Sequence, residues 1–443
     1  MTPVVGYTEM RDSGIKGIGE IPAIWKVSRV HNLFFEVSDR YTELKDDQLP
    51  LLAVSEYYGV AERAEKIDAD TVLVRAETLE GYKKCKKGDI VSNIMLAWKS
   101  ALGQSPMDGI VSPAYCVYRP REGVNSKYYH YLFRTKRYAD IFRVNSTGLI
   151  DSRLRLYSPK FFVLQIPVPS YEEQSAIAAY LDTQCAKIDE IIAEAKASIE
   201  DYQQWKASII YEAVTKGLDP DVEMKDSGIE WVAKISARWH KGRVSQVANA
   251  YNGDRSSNYP SGGDIVSSGI SFLTSNNLGQ IKLNTDIQTN KFITSEKYHS
   301  LRGAKLQTDD IVFCLRGSVG KCSINKTLTE GSIASSLILI RPVGINPDYL
   351  NYVLQNSAIT ETAVISAIGI GSLNLSAENI MSFSIPLPSL DEQKRIAQYL
   401  DETCSYLDDI VLEKQLLIAD LESYKKSLIY EVVTGKRRVR GWV

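Results

Sequence analysis

The chain has 443 residues, 44% hydrophobic and 24% charged, enough for roughly two to four structural units of about 150 residues each. Its 52 Lys/Arg against 54 Asp/Glu leave a net charge of −2, which taken as an average argues against a nucleic-acid binder. No run approaches the roughly 18 apolar residues of a membrane span, the six cysteines and four histidines lack zinc-type spacing, and the opening MTPVVGYTEMRDSG has no secretory pattern, so the expectation is a reduced, cytoplasmic protein.

In chain order, the first landmark is Asp12-Ser13-Gly14-Ile15, followed by Ile21, Trp25 and Arg29-Val30. A globular stretch of mixed α and β follows. Gly88-Asp89-Ile90-Val91 reads as a turn entering a strand, Tyr115-Cys116-Val117-Tyr118 as a strand before Arg-Pro, and Asn125 to Thr135 as a helix. From Ile166 the pattern changes to long helical periodicity. Ile177, Leu181, Ile188, Ile191, Ala195, Tyr202, Trp205 and Ile209 recur at coiled-coil spacing, acids open the segment and Gly217 closes it.

The plan then starts again. Asp226-Ser227-Gly228-Ile229, Ile235, Trp239 and Arg243-Val244 repeat the first landmark at a shift of 214 residues. Asp309-Asp310-Ile311-Val312, Leu337 to Ile340 before Arg-Pro, and Asn346 to Asn356 repeat the strand and helix entries. A second long helical pattern carries Ile396, Leu400, Leu407, Ile410, Leu417, Leu421, Tyr424 and Leu428, with Gly435 as its stop. Aligned without gaps at a shift of 219, residues 166–215 share 24 of 50 identities with the second copy. Chance does not produce that.

The predicted architecture is α+β: residues 1–165 and 218–384 as globular units, 166–217 and 385–443 as two long helices closing into an antiparallel coiled-coil spacer, with a pseudo-twofold internal repeat. A helix of about 45 residues is roughly 65 Å long. Charge is uneven along this plan. From Gly81 to Lys160 there are 15 Lys/Arg and 5 Asp/Glu, interleaved with aromatics, a pattern suited to phosphate and base contacts. The window from Lys282 to Arg341 has nine basics and five acids. The helices are acidic, so the overall balance conceals a basic reader.

Several strings imitate catalytic motifs without their context. Asn346-Pro347-Asp348-Tyr349 lacks the second proline of an adenine methyltransferase motif and reads as a turn opening a helix. Gly317 to Cys322 lacks phosphate-loop spacing, and Gly369-Ile370-Gly371 is a loop. Pro220-Asp221 with Glu223 and Lys225 sits in an acidic linker. No acid/base pair, nucleophile triad or metal cluster assembles, so no catalytic activity is expected of the chain itself.

In combination these residues resemble the specificity subunits of type I restriction–modification enzymes. The resemblance rests on DSGIKGIGEIPAIW and DSGIEWVAKISARW before each globular unit and on IPVPSYEEQ and IPLPSLDEQ opening each helix. MLAWKSALGQ and IVSPAYCVYRP in the first half, and LRGSVGK in the second, extend it over nearly the whole chain.

The resemblance implies two target recognition domains, each reading half of a split site in double-stranded DNA, with the helices as the spacer. It also implies docking of two modification subunits that bind S-adenosylmethionine, and of restriction subunits that use ATP and Mg²⁺; the chain itself would hold no cofactor or metal and meet no membrane. On this reading Asn93, Trp98 and Lys99 are the DNA-contact candidates of the first domain, and Asn276, Arg316, Ser318 and Lys321 those of the second. Ile177, Leu181, Ile188, Ile191, Ile396, Leu400, Leu407 and Ile410 are the spacer and docking candidates. GLIDSRLRLYSPKFF departs from the G-x-x-x-x-N-L-S pattern that GIGSLNLSAENIM approaches, so Gly148 to Tyr157 reads as remodelled. The rival reading is a non-enzymatic coiled-coil adaptor without sequence-specific DNA binding; a fused methyltransferase is disfavoured by the missing cofactor loop.

Overall fold

A computed structural model describes residues 6–42, 49–63, 78–286, 290–366 and 375–439. The chain divides into two units, residues 1–195 with 416–443 and residues 196–415. Both divisions fall inside long helices, Tyr171–Lys216 and Leu390–Val433. Each unit therefore combines one globular stretch with part of both helices.

The first unit is built on a sheet in the order Phe34–Val37, Tyr115–Pro120, Ile90–Asn93, Leu102–Gln104, all antiparallel. Successive side chains of a strand point to opposite faces, and here both faces are covered. Ile90, Cys116 and Tyr118 enter an aromatic core with Tyr128, Tyr129, Phe133 and Phe161, whereas Val91 and Val117 enter a smaller core with Leu52, Val54 and Val111. The second unit repeats the sheet as Ala248–Asn252, Leu337–Pro342, Ile311–Cys314, Cys322–Ile324. Ile311, Phe313, Ile338 and Ile340 face one core; Val312, Cys314, Leu337 and Leu339 face the other. This unit adds a second sheet of Ile265–Val266, Lys291–Ile293, Ile270–Leu273 and Ser332–Ile333.

The repeated motifs are joints of the scaffold. Asp89, almost fully buried, accepts two bonds from Arg119 at 2.9 and 2.8 Å and one from the Lys86 backbone N–H at 2.8 Å. Asp310 does the same with Arg341, at 2.7 and 2.8 Å, and with the Gln307 N–H at 2.7 Å. The Asp-Ile entry is thus locked to the Arg-Pro exit of the neighbouring strand in both units. The left-handed turn before each Asp is filled by Gly88 at φ 96° and by Asp309 at φ 69°.

At the helix openings, Ser170 and Ser389 accept from the Glu173 and Glu392 N–H groups. Gln174 donates to the Pro169 carbonyl and accepts from the Asn125 N–H, both at 2.9 Å; Gln393 repeats this with Pro388 and Asn346 at 2.9 and 2.8 Å. The Pro-Ser-x-x-x-Gln string therefore ties the start of each long helix to the start of a short one. Asn346 caps that short helix through the Tyr349 N–H at 2.9 Å, as the turn reading anticipates.

The stretches from Ile166 and Ile385 begin as strands rather than helix: Gln165–Val168 pairs with Lys26–Arg29, and Ser384–Leu387 with His240–Arg243. Pro167 and Pro386 sit in these short edge pairings, and the helices start only at Tyr171 and Leu390. Each repeated Trp is buried beneath a helix end. Gly435, at φ 72°, lies over Trp25, whose indole N–H donates to Glu173 at 2.9 Å. Gly217, at φ 85°, lies over Trp239. A Cβ at either glycine would meet the indole or its neighbours, and the left-handed conformation itself favours glycine.

Within each unit the helix segments run antiparallel. In the first, Tyr180 neighbours Arg437 and Asp189 pairs with Lys425. In the second, Lys414 lies over the Tyr202 ring and Lys206 pairs with Asp408. Ile177, Leu181, Ile188, Ile396, Leu400 and Leu407 are buried, and Ile410 is half-buried. Ile191 is the correction: it is 45% exposed, and Ile192 takes the buried place. Burial follows 188, 192 and 195 because the helix buries against its globular stretch as well as its partner, at a 3.6-residue rather than a 3.5-residue period. Trp205, Leu417 and Tyr424 are likewise exposed rather than in the seam.

Candidate nucleic-acid interface

In the first unit the strand Ile90–Asn93 runs into a tight turn and a one-turn helix, Ala97–Lys99, ended by Ser100 in the left-handed conformation at φ 67°. Asn93 is 4% exposed, and its side-chain oxygen accepts from the Met95 N–H at 3.1 Å. It does not reach the surface, which corrects its assignment as a DNA contact: a buried asparagine at a strand end is serving the turn.

Trp98 is half-buried, anchored by its indole N–H to the Met95 carbonyl at 3.1 Å. The exposed Lys99 ammonium lies 5.3 Å from its ring and the Arg143 guanidinium 5.1 Å. Cations on an aromatic face are held by the ring quadrupole, so the structure gathers two positive charges around one indole.

Trp98 and Lys99 line a cleft of about 770 Å³ together with Lys136, Arg137, Arg143 and Lys426. Sequence reading singled out only the first two. Lys426 was legible only as one of a Lys-Lys pair on the second helix, whose other member, Lys425, is committed to Asp189. Arg134 also lines the cleft, but its guanidinium donates to the carbonyls of Ser55, Glu56, Tyr57, Ser100 and Leu102 at 2.8 to 3.3 Å. Burial lowers its pKa to about 10, so it stays charged, and it acts as a strut. One helical turn earlier, His130 accepts from the Gln104 N–H at 3.1 Å. Burial, with Arg134 and Lys127 nearby, pushes that imidazole down to about 3.

The second unit has a cleft of about 680 Å³ at the corresponding place, lined by Ser318, Lys321, Gln355, Asn356 and, from the first long helix, Lys206. Arg316 and Ser318 are exposed on the turn after strand Ile311–Cys314, which Cys314 closes by donating to the Arg316 carbonyl at 3.1 Å. Asn276 is exposed on the one-turn helix Ser275–Asn277, outside the cleft-lining set, while Asn277 beneath it is buried and bonded to Thr274, Asn284 and Asn290. The scaffold is shared and the lining is not: the first cleft gathers six Lys/Arg against Glu56 and Asp140, the second Lys206 and Lys321 among polar groups.

Among the described residues no group of three or more His, Cys, Asp and Glu could hold a metal ion, and no helix is long and apolar enough to cross a membrane. Gly369-Ile370-Gly371 lies outside the described residues.

Fold and site together define a protein with two differently lined copies of one domain plan, each packed with segments of two long helices. Residues 237–419 match the family profile described as type I restriction modification DNA specificity domain. The chain is 24% identical over 322 residues to the type I restriction enzyme MjaVIII specificity subunit of Methanocaldococcus jannaschii, covering 70% of each. It is 23% identical over 440 residues to the EcoKI specificity subunit of Escherichia coli (strain K12), covering 94% of this chain and 90% of that one. Its fold matches a solved chain of a type I R-M system with a TM-score of 0.69 at 16% identity, covering 94% and 99% of the two chains. It also matches the crystal structure of the HsdS subunit from Thermoanaerobacter tengcongensis, with a TM-score of 0.54 at 18% identity over 95% and 99%. Over nearly its whole length the chain is similar to specificity subunits of type I restriction–modification enzymes, and residues 237–419 carry that family's DNA specificity domain.

Proposed function

We propose that this chain is the DNA-reading, non-catalytic subunit of a type I restriction–modification complex, each unit reading one half of a split site. The observation that carries this is the pair of corresponding clefts with different linings. A homodimer would read a palindrome; two diverged copies in one chain suit an asymmetric site. The domains of this reading are residues 1–165 and 218–384, with 166–217 and 385–443 as spacer.

The first long helix, 46 residues, is about 69 Å long at 1.5 Å per residue, close to two turns of B-DNA at about 34 Å each. Near-symmetric helices offer matching surfaces to two identical modification subunits, and restriction subunits complete the complex. In this reading S-adenosylmethionine, ATP and Mg²⁺ belong to those partners, and the complex works in the cytoplasm. Trp98 and Lys99, with Arg137, supply DNA contacts in the first unit; Arg316, Ser318, Lys321 and Asn276 supply them in the second.

The test is to map methylated adenines in DNA from cells expressing this chain with a modification subunit. A split, asymmetric motif is expected. Absence of any motif overturns the reading in favour of a protein-only adaptor.

A further inference from the structure

The remodelled stretch Gly148 to Tyr157 is a braced loop with an apolar tip. Thr147 and Arg155 exchange two backbone hydrogen bonds at 2.9 Å, closing its neck. Arg143 Nη2 donates to both oxygens of Asp151 at 2.7 and 2.9 Å, and the Arg155 side chain donates to the carbonyls of Ser152 and Leu154 at 3.2 and 2.8 Å. The Leu156 N–H bonds the Ile94 carbonyl at 2.9 Å, docking the loop on the turn that carries Trp98. At Gly148, φ 148°, a Cβ would stand 2.5 Å from the Arg153 carbonyl oxygen, so only glycine fits.

All this ordering displays Leu149, which is 101% exposed, and Ile150, 57% exposed. Fixing a loop carries an entropic cost, and burial of its two apolar residues does not repay it here. The surroundings are cationic: Lys99 and Arg143 flank Trp98, Arg153 is exposed three residues past the tip, and residues 134–160 hold seven Lys/Arg against two Asp/Glu. Asp151, the acid nearest the tip, is neutralised by Arg143. An apolar tip in a positive rim suits a polyanion with an apolar interior, which a base stack is; an apolar protein groove would not call for the cations.

We propose that this loop is a DNA wedge: Leu149 and Ile150 enter the minor groove and part a base step in the half-site read by the first unit, while Lys99 and Arg153 hold the flanking phosphates. Apolar side chains inserted in this way partially unstack a step and kink the duplex. The proposal rests on the DNA-reading function proposed above.

The experiment uses the full chain assembled with its modification subunits on a duplex carrying the mapped motif. Permanganate reactivity of thymines reports unstacking, and nuclease protection reports binding. The wild-type complex is expected to protect both half-sites and to show a reactive step in one of them, away from the methylated base pairs. The variant L149A/I150A should lose that reactivity, bind roughly tenfold more weakly and keep its salt dependence. Arg153→Ala should keep the reactive step and lower the salt slope by about one.

Protection without any reactive step overturns the wedge and leaves the DNA-reading function standing. Failure of L149A/I150A to assemble with the modification subunits also overturns it, by placing the loop against protein. Absence of protection by the wild-type complex overturns the DNA-reading function itself, and the wedge with it.

Discussion

Lys206 holds both carboxylate oxygens of Asp408, at 2.6 and 2.7 Å, and the internal repeat turns this pair into Lys425 with Asp189, at 2.6 Å to each oxygen. A shift of 219 residues carries Asp189 to Asp408 and Lys206 to Lys425, so the two bridges are one contact made twice with the helices exchanging roles. Lys206 is 11% exposed and Lys425 27%. The chain therefore tests one ion pair in two environments. Lys206→Ala is expected to destabilise by about 1 kcal/mol and Lys425→Ala by less, because the more solvated pair is screened. Swapping the charges, as K206D/D408K, should recover most of the first loss. Urea denaturation of the four chains measures this.

The buried carboxylates of Asp89 and Asp310 are a sharper case. Each faces one arginine and sits at most 2% exposed. Asp310→Asn leaves the Arg341 guanidinium without its countercharge and is expected to cost about 3 kcal/mol. Asp89→Asn should do the same to the first unit. A lowered denaturation midpoint with an unchanged DNA motif is the expected result; a changed motif at undiminished stability would make the pair a reading element.

His130 gives the first unit a pH dependence of predictable sign. Its folded pKa is depressed to about 3, while an unfolded imidazole titrates near about 6.5. Between these values the unfolded chain binds a proton that the folded one refuses. Stability should thus be fully present above about pH 6.5 and fall on acidification, by at most about 1.4 kcal/mol per pH unit from this group. His130→Gln should flatten that part of the profile, measured by chemical denaturation between pH 7 and 5.

The first cleft should bind phosphate and the second much less. Lys99→Ala is expected to weaken DNA binding across sequences and lower the salt slope by about one, whereas Asn93→Ala should cost about 1 kcal/mol of folding stability and leave the salt slope unchanged. Arg316→Ala should relax discrimination at one half-site only, by about 1 to 3 kcal/mol per affected base pair if it reads a base edge. Fluorescence anisotropy at several salt concentrations, with each half-site varied in turn, separates these outcomes.

Elements whose signal is local could be read directly from the residues. The long helices, the strands entered at Gly88 and Asp309, and the capped helix at Asn346 all lie where periodicity and turn chemistry put them. Side-chain roles were less legible. Asn93 and Trp98 stand five residues apart in one basic window, yet one is beneath a turn and the other is the platform for two cations. Arg134 counts as a charge like Lys99, yet five carbonyls claim it because the segments from Ser55 and Ser100 converge on its helix. Ile191 and Ile192 both suit a helix interior, and only the packing partner decides between them.

By itself, then, the sequence determined the twofold plan, the two long helices and the basic character of the first half, because internal identity, periodicity and charge are properties of the linear chain. Tertiary structure decided which charges remain available and which are struts, since availability depends on acceptors brought from distant segments. It also decided that the divergent Gly148 to Tyr157 stretch is a braced loop with Leu149 and Ile150 at its tip: its fastenings join Arg143 to Asp151 and Leu156 to Ile94, and no pattern along the chain encodes that closure.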